Sequence, residues 1–226
     1  MHLAFTSSLV AVFLRHTCAA PYPFSNATDI TTDITNTTFS TPSGGPYVCQ
    51  RIYPSDLTVV NSRYPDYDVG HLHDANRFFM LRRQTLGEGE IATRVQFRGI
   101  PSAALNKTCR LEFVLPDPDL QKIQGTNPSF NVYQVDREAD TIATWNTYKG
   151  NDGADLFGRV NGEQEALETT KSVGGVAAVN ETACAETLTF QMGMAYDGED
   201  LPNYWEFSNV APPAWPVQGF RIVYGC

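Results

Sequence analysis

Eight residues in the first half of the chain, Ile91-Ala92-Thr93-Arg94-Val95-Gln96-Phe97-Arg98, alternate between two kinds of side chain. Ile, Thr, Val and Phe fall on one side, and Arg, Gln and Arg on the other. A period of two residues fits an extended strand with one buried face and does not fit a helix. The pattern recurs in Cys109-Arg110-Leu111-Glu112-Phe113, in Leu188-Thr189-Phe190-Gln191-Met192-Gly193-Met194 and in Phe220-Arg221-Ile222-Val223-Tyr224. Weaker versions run from Arg77 to Arg82, Phe130 to Val135, Leu156 to Val160 and Tyr204 to Val210. Turn chemistry separates them: Asn151-Asp152-Gly153, Gly174-Gly175, Asp197-Gly198 and Pro212-Pro213. Only Gly162 to Lys171 looks helical. Its single strong apolar residue, Leu167, gives no apolar stripe, so no more than a turn is expected there. Many strands without amphipathic helices predict an all-β fold, a two-sheet antiparallel β-sandwich.

The first residues read differently. Leu3 to Leu14 is an apolar run too short to span a bilayer, and Thr17, Cys18, Ala19 and Ala20 follow as small residues suited to a peptidase. Residues 1–19 are therefore expected to be a secretory signal peptide, cut after Ala19. Residues 20–46 are rich in Thr and Ser and poor in large apolar groups, which predicts a disordered, glycosylated arm. The sandwich domain is expected over 47–226.

Cleavage changes the cysteine count. Cys18 leaves, and Cys49, Cys109, Cys184 and Cys226 remain. An even number in an exported chain suggests two disulfides, with three pairings open. Cys109–Cys184 with Cys49–Cys226 is the expected set, because the second bridge ties the two ends of the domain together. Four sequons agree with export: Asn26-Ala27-Thr28, Asn36-Thr37-Thr38, Asn106-Lys107-Thr108 and Asn180-Glu181-Thr182. The last two precede cysteine-led strands and are expected in loops.

Charge narrows the partners. The formal net charge is −9, with no Lys or Arg block. That is the wrong electrostatic footprint for a nucleic-acid binder. No second apolar segment is long enough for a membrane span, and the end of the chain is not the tail of a lipid-anchor signal. The expected location is extracellular, secreted, and the cell wall is a candidate destination.

Several segments resemble a known family. Cys109-Arg110-Leu111-Glu112-Phe113-Val114-Leu115-Pro116 resembles the opening strand of the fungal secreted domain called the But-two C-terminal domain, the "ubiquitin three binding protein" family. Trp145 with Leu156-Phe157-Gly158-Arg159-Val160 resembles its central stretch. Ala183-Cys184 leading into Leu188-Thr189-Phe190 resembles its second cysteine strand, and Gly219 to Tyr224 its last strand. The resemblance covers 108–226 and leaves Val48 to Thr108 unexplained. It implies a fungal extracellular β domain and supplies no catalytic residues. A ubiquitin-pathway partner would be cytosolic, which does not fit a signal peptide and four sequons.

The chemistry-bearing residues are few. After cleavage the only histidines are His71 and His73, so any triad must use one of them. There is no Gly-x-Ser-x-Gly elbow, and two disulfides would leave no free thiol. On a strand, His71 and His73 would share a face and, with Asp68 or Asp74, could ligate zinc or copper. The blander reading is two surface histidines, because a third ligand is undefined. Paired carboxylates (Asp117 and Asp119, Asp136 and Glu138, Asp197 with Glu199 and Asp200) read as solvated turns. Among the aromatics, Trp205 is assigned to the core, while Trp145 and Trp215 are candidates for a carbohydrate platform. No cofactor is implied. The expected function is a non-catalytic glycoprotein acting through binding to cell-wall polysaccharide or an extracellular protein. A carbohydrate-binding module is the sharper form, and a secreted glycan-active or metal-dependent enzyme using His71 and His73 is the rival.

Overall fold

The structure is a computed structural model that describes residues 48–68, 78–84, 89–137, 142–148, 154–196 and 202–226. The expected signal peptide and arm, with Asn26 and Asn36, lie outside the described residues. So do His71, His73, Asp74, Glu138, Asp197, Glu199 and Asp200, and the turn at Asn151-Asp152-Gly153.

The fold is all-β, in two antiparallel sheets. The strands in chain order are β1 (Gln50–Ile52), β2 (Asp56–Asn61), β3 (Phe78–Arg83), β4 (Ile91–Arg98), β5 (Thr108–Val114), β6 (Gln121–Gln124) and β7 (Phe130–Val135). They continue as β8 (Leu156–Val160), β9 (Val176–Ala183), β10 (Thr187–Met194), β11 (Asn203–Ser208) and β12 (Gly219–Tyr224). The smaller sheet has the order β1-β12-β5-β9. The larger has β6-β11-β3-β4-β10-β7-β8, with β2 also paired to β4.

Alternation explains which side chains meet between the sheets. Cys109, Leu111 and Phe113 of β5 and Phe220 and Ile222 of β12 point inward and are fully buried. Opposite them stand Phe79, Leu81, Val95, Phe97, Phe130, Phe190, Trp205 and Phe207, also buried. Phe113 meets Trp205 edge-on at 5.5 Å between ring centroids, and Phe130 meets the same indole at 5.4 Å. The buried indole N–H donates to Gln121 Oε1 at 2.9 Å, so its one polar atom is satisfied. Thr93 is a polar residue on this inward side. Its hydroxyl accepts from Met80 N–H (3.2 Å) and donates to Met80 C=O (2.8 Å), which continues the β3–β4 contact beyond the single backbone rung at Arg82 and Ile91.

The outward faces depart from the simple pattern. Arg94 and Gln96 of β4 and Thr189 and Gln191 of β10 are polar, yet all are buried. Residues 142–148 lie across this face. Ala143, Trp145 and Tyr148 pack on Val60 and Ala92, and Thr147 C=O accepts from Arg137 and from Gln191. The buried polar groups bond to one another: Arg94 to Asp56 (2.9 Å), Gln96 Nε2 to Thr189 Oγ1 (2.9 Å), Arg98 Nε to Gln96 Oε1 (2.7 Å). On the smaller sheet, Glu112 accepts from Arg221 through one carboxylate oxygen (2.8 Å) and from Arg110 through the other (2.7 Å).

A real helix, α1 (Gln164–Ser172), stands where only a turn was expected. Glu165 in its first turn and Lys171 in its last suit the helix dipole, and Gln164 bonds to Glu168 at 2.9 Å. It stops where Gly174 and Gly175 take positive φ (103° and 73°), with Gly175 N–H bonded to Thr170 C=O. Leu167 alone packs against the core, so the helix carries no stripe to read.

Of the three pairings open to the cysteines, the structure has Cys49–Cys226 and Cys109–Cys184, with Cα separations of 4.6 and 5.0 Å. The bridges close loops of different reach, spanning 177 and 75 positions of sequence. Replacing Cys109 and Cys184 together by Ala is expected to cost about 2–5 kcal/mol, read by urea unfolding of the purified protein. Glu112→Ala leaves Arg221 buried without its carboxylate and is expected to cost about 3–5 kcal/mol. Replacing Glu112 and Arg221 together by Met should recover most of that loss in the same assay.

Candidate functional site

One end of the sandwich carries Leu120, Val173 and Trp215, three of the exposed large apolar residues. β5 ends there at Val114, β12 begins opposite it at Gly219, and α1 packs beside the start of β9. Between α1 and the stretch that follows β5 is a groove of about 810 Å³. Leu115, Pro116, Pro118, Ile123, Pro128 and Leu167 line it, with Glu163, Glu168 and Lys171 adding charge. Asp117 also lines it and accepts from Asp119 N–H, which holds the short helical turn Pro118–Leu120 in place. Leu120 and Val173 are exposed nearby in sequence, on the turn and just past α1.

The loop joining β11 to β12 is tied at its base to Asp117, a residue of the groove wall. Val210 and Gln218 pair across its base, N–H to C=O, at 2.9 and 3.1 Å. Gln218 is buried. Its side chain donates to Ser208 C=O (2.9 Å) and accepts from Asp117 N–H (3.2 Å), which fastens the loop to the groove wall. Asn209 Oδ1 accepts from Phe220 N–H, and the positive φ of Gly219 (90°) lets the backbone come within reach of that side chain, where a Cβ would stand 2.2 Å from Asn209 Oδ1. Beyond this base the loop runs Ala211-Pro212-Pro213-Ala214-Trp215-Pro216-Val217, with three prolines limiting its backbone. Trp215 stands on it with 85% of its surface in water.

The two tryptophans proposed for a platform therefore separate. Trp145 stacks on Tyr148, with centroids 5.2 Å apart, and both pack on the outer face of the larger sheet. The turn that holds it is closed by Thr144 N–H donating to Thr147 Oγ1 (2.8 Å). Burial pushes the Tyr148 phenol well above the usual tyrosine range, and Glu90 adds to the shift, so it stays protonated at neutral pH. Trp145 is thus a packing residue, and Trp215 is the one presented to solvent.

A second groove, about 900 Å³, opens on the side between β8 and β9. Val135, Leu188 and Thr189 form part of it, and Asp136, Arg137, Asp155, Leu156 and Asn180 bring polar and exposed groups. Asp136 thus faces a groove rather than an isolated turn. Asn106 lies exposed in the turn before β5, as expected of a sequon in a loop. Asn180 does not: it lies inside β9, paired to Leu111, because the strand begins before the sequon. Among the described residues there is no group of three or more His, Cys, Asp or Glu placed to hold a metal ion, and no helix is long and apolar enough to cross a membrane.

No family model matches the chain, and no curated protein matches it.

The end groove was missed in the sequence because its walls come from a proline-rich segment and a helix with one apolar residue. The contrast between the tryptophans is testable. Trp145→Ala is expected to lower stability by about 1–3 kcal/mol, since it empties a packed stack. Trp215→Ala should change stability by less than about 0.5 kcal/mol, as an exposed substitution does. Denaturant midpoints of the two variants check both values.

Proposed function

We propose that the protein is a secreted, non-catalytic fungal glycoprotein of the cell surface or extracellular space, and that it acts by binding through the end that carries Trp215. The observation that carries this reading is an indole held almost wholly in water on a loop fastened at its base. An exposed apolar group of that size has a hydrophobic cost that burial by a partner removes. The buried Gln218 and the three prolines reduce the freedom lost when a partner docks. Next to the loop lies a groove with apolar walls and charged groups, the usual make-up of a ligand cleft.

Two disulfides fit an oxidising compartment such as the secretory route. The resemblance of 108–226 to a fungal secreted domain supports the same setting. The preferred ligand is cell-wall polysaccharide. A flat indole face stacks on the apolar face of a sugar ring, and the charged groups of the groove can bond to its hydroxyls.

Retention on insoluble chitin, β-glucan and mannan tests the proposal. The wild-type protein should be retained on at least one of them. Trp215→Ala should weaken that retention by roughly 10- to 30-fold with an unchanged melting temperature. A wild-type protein that passes through all three removes polysaccharide as the ligand.

A further inference from the structure

The seam where the free edges of the two sheets approach has an unusual build. β9 is an edge strand of the smaller sheet, and β8 is an edge strand of the larger. In the pairing of β9 with β5, Leu111 stands opposite Asn180 and Glu112 opposite Ala178. Val179 is the extra residue of a bulge, a device that bends a strand and re-aims its side chains. Val179 meets Gly158 of β8 so closely that a Cβ on Gly158 would lie 2.7 Å from Val179 Cγ1 and 2.9 Å from Val179 C=O. The seam is shut at this point. Beyond it, toward Leu156 on one strand and Thr182 on the other, it opens into the 900 Å³ side groove.

Asn180 sits where closed seam becomes open groove. Its carboxamide is fixed at both atoms: Nδ2 donates to Phe157 C=O across the seam (2.5 Å), and Oδ1 accepts from Glu181 N–H (2.8 Å). The side chain is exposed and lines the groove. It is also the first residue of the sequon Asn180-Glu181-Thr182.

We propose that Asn180 carries an N-linked glycan and that its first sugars lie in the side groove. This rests on the reading of the protein as secreted. The donor is an oligosaccharide on a lipid pyrophosphate. Asn180 Nδ2 bonds to the anomeric carbon, the bond from that carbon to the pyrophosphate oxygen breaks, and the lipid pyrophosphate leaves with the electron pair. One amide proton is lost to a base of the transferase. The other N–H remains and still donates to Phe157 C=O, so attachment and the seam contact are compatible. Transfer precedes closure of the sheet, since a strand paired to β5 cannot enter a transferase.

The groove suits that occupant. Leu156 is exposed on its wall and gives an apolar surface for a sugar face. Asp136, Arg137, Asp155 and Thr187 give donors and acceptors for hydroxyls. The glycan would also cover the free edge of β9, a surface that otherwise invites pairing with another strand. Asn106 has no such setting. It sits exposed in a turn, so a glycan there projects into solvent.

The test uses the full chain secreted from a eukaryotic host. Mass spectrometry of its peptides reads occupancy at Asn106 and Asn180. Timed treatment of the native protein with an endoglycosidase then reads how accessible each glycan is. Asn180 should be occupied, and its glycan should be released about tenfold or more slowly than that of Asn106, with the difference lost after denaturation. Leu156→Ser should leave Asn180 occupied and speed release there. Equal release rates at the two sites in the native protein would overturn the groove placement. An occupied Asn106 beside an empty Asn180 would overturn the inference and leave secretion standing. Two empty sites would overturn the inference and leave secretion standing, whereas failure of the chain to reach the medium would overturn the secreted reading.

Discussion

Phe113 on the smaller sheet and Trp205 on the larger meet edge-on in the core between the two layers, and the way the sheets face each other depends on ring contacts of this kind. Around it, Phe79, Phe130, Phe207 and Phe220 form a continuous set of ring contacts that joins both layers. Large rings pack with defined geometry, so the core fixes how the sheets face each other as well as holding them together. The indole also bonds to Gln121 at the start of β6, the strand that carries Ile123 into the end groove. Core packing thus sets one wall of the candidate site.

The disulfides act at the other end of the smaller sheet. Cys109 begins the inward row of β5 and Cys184 follows β9, while Cys49 and Cys226 stand beside β1 and the end of β12. Covalent links therefore hold the end opposite to Val114 and Gly219. At the groove end, hydrogen bonds through Gln218, Asn209 and Asp117 do the holding. A covalently closed end and a hydrogen-bonded, apolar end divide the sandwich between stability and contact with other molecules.

How far the sequence discloses this depends on periodicity. β4, β5, β10 and β12 were legible because one face of each is apolar and the alternation is clean. β9, Val176-Ala177-Ala178-Val179-Asn180-Glu181-Thr182-Ala183, was not: a bulge at Val179 breaks the period of two, and the strand sits at an edge with little to bury. α1 escaped because a single leucine anchors it. The polar outer row of β4 was legible as polar, but its burial was not. Residues 142–148 pack on Val60 and Ala92 of that face and bond to Gln191, and only the fold brings that segment there. Trp145 and Trp215 could not be told apart in sequence, since each falls near a candidate strand edge or loop. Their difference comes from what lies beneath: the sheet formed by Val60 and Ala92 under one, and solvent around the other. The end groove has no sequence signal, because its walls are assembled from segments about fifty residues apart.

The central claim is that a rigid two-sheet core presents Trp215 as the contact residue. Oxidative footprinting of the native protein, with and without soluble oligosaccharides of chitin, glucan and mannan, tests it most directly. Free protein should show fast oxidation of Trp215 and none of Trp205, with Trp145 between them, and a binding oligosaccharide should protect Trp215 selectively. Rapid oxidation of Trp205, or ligand binding that protects other residues while Trp215 reacts as before, would contradict the account.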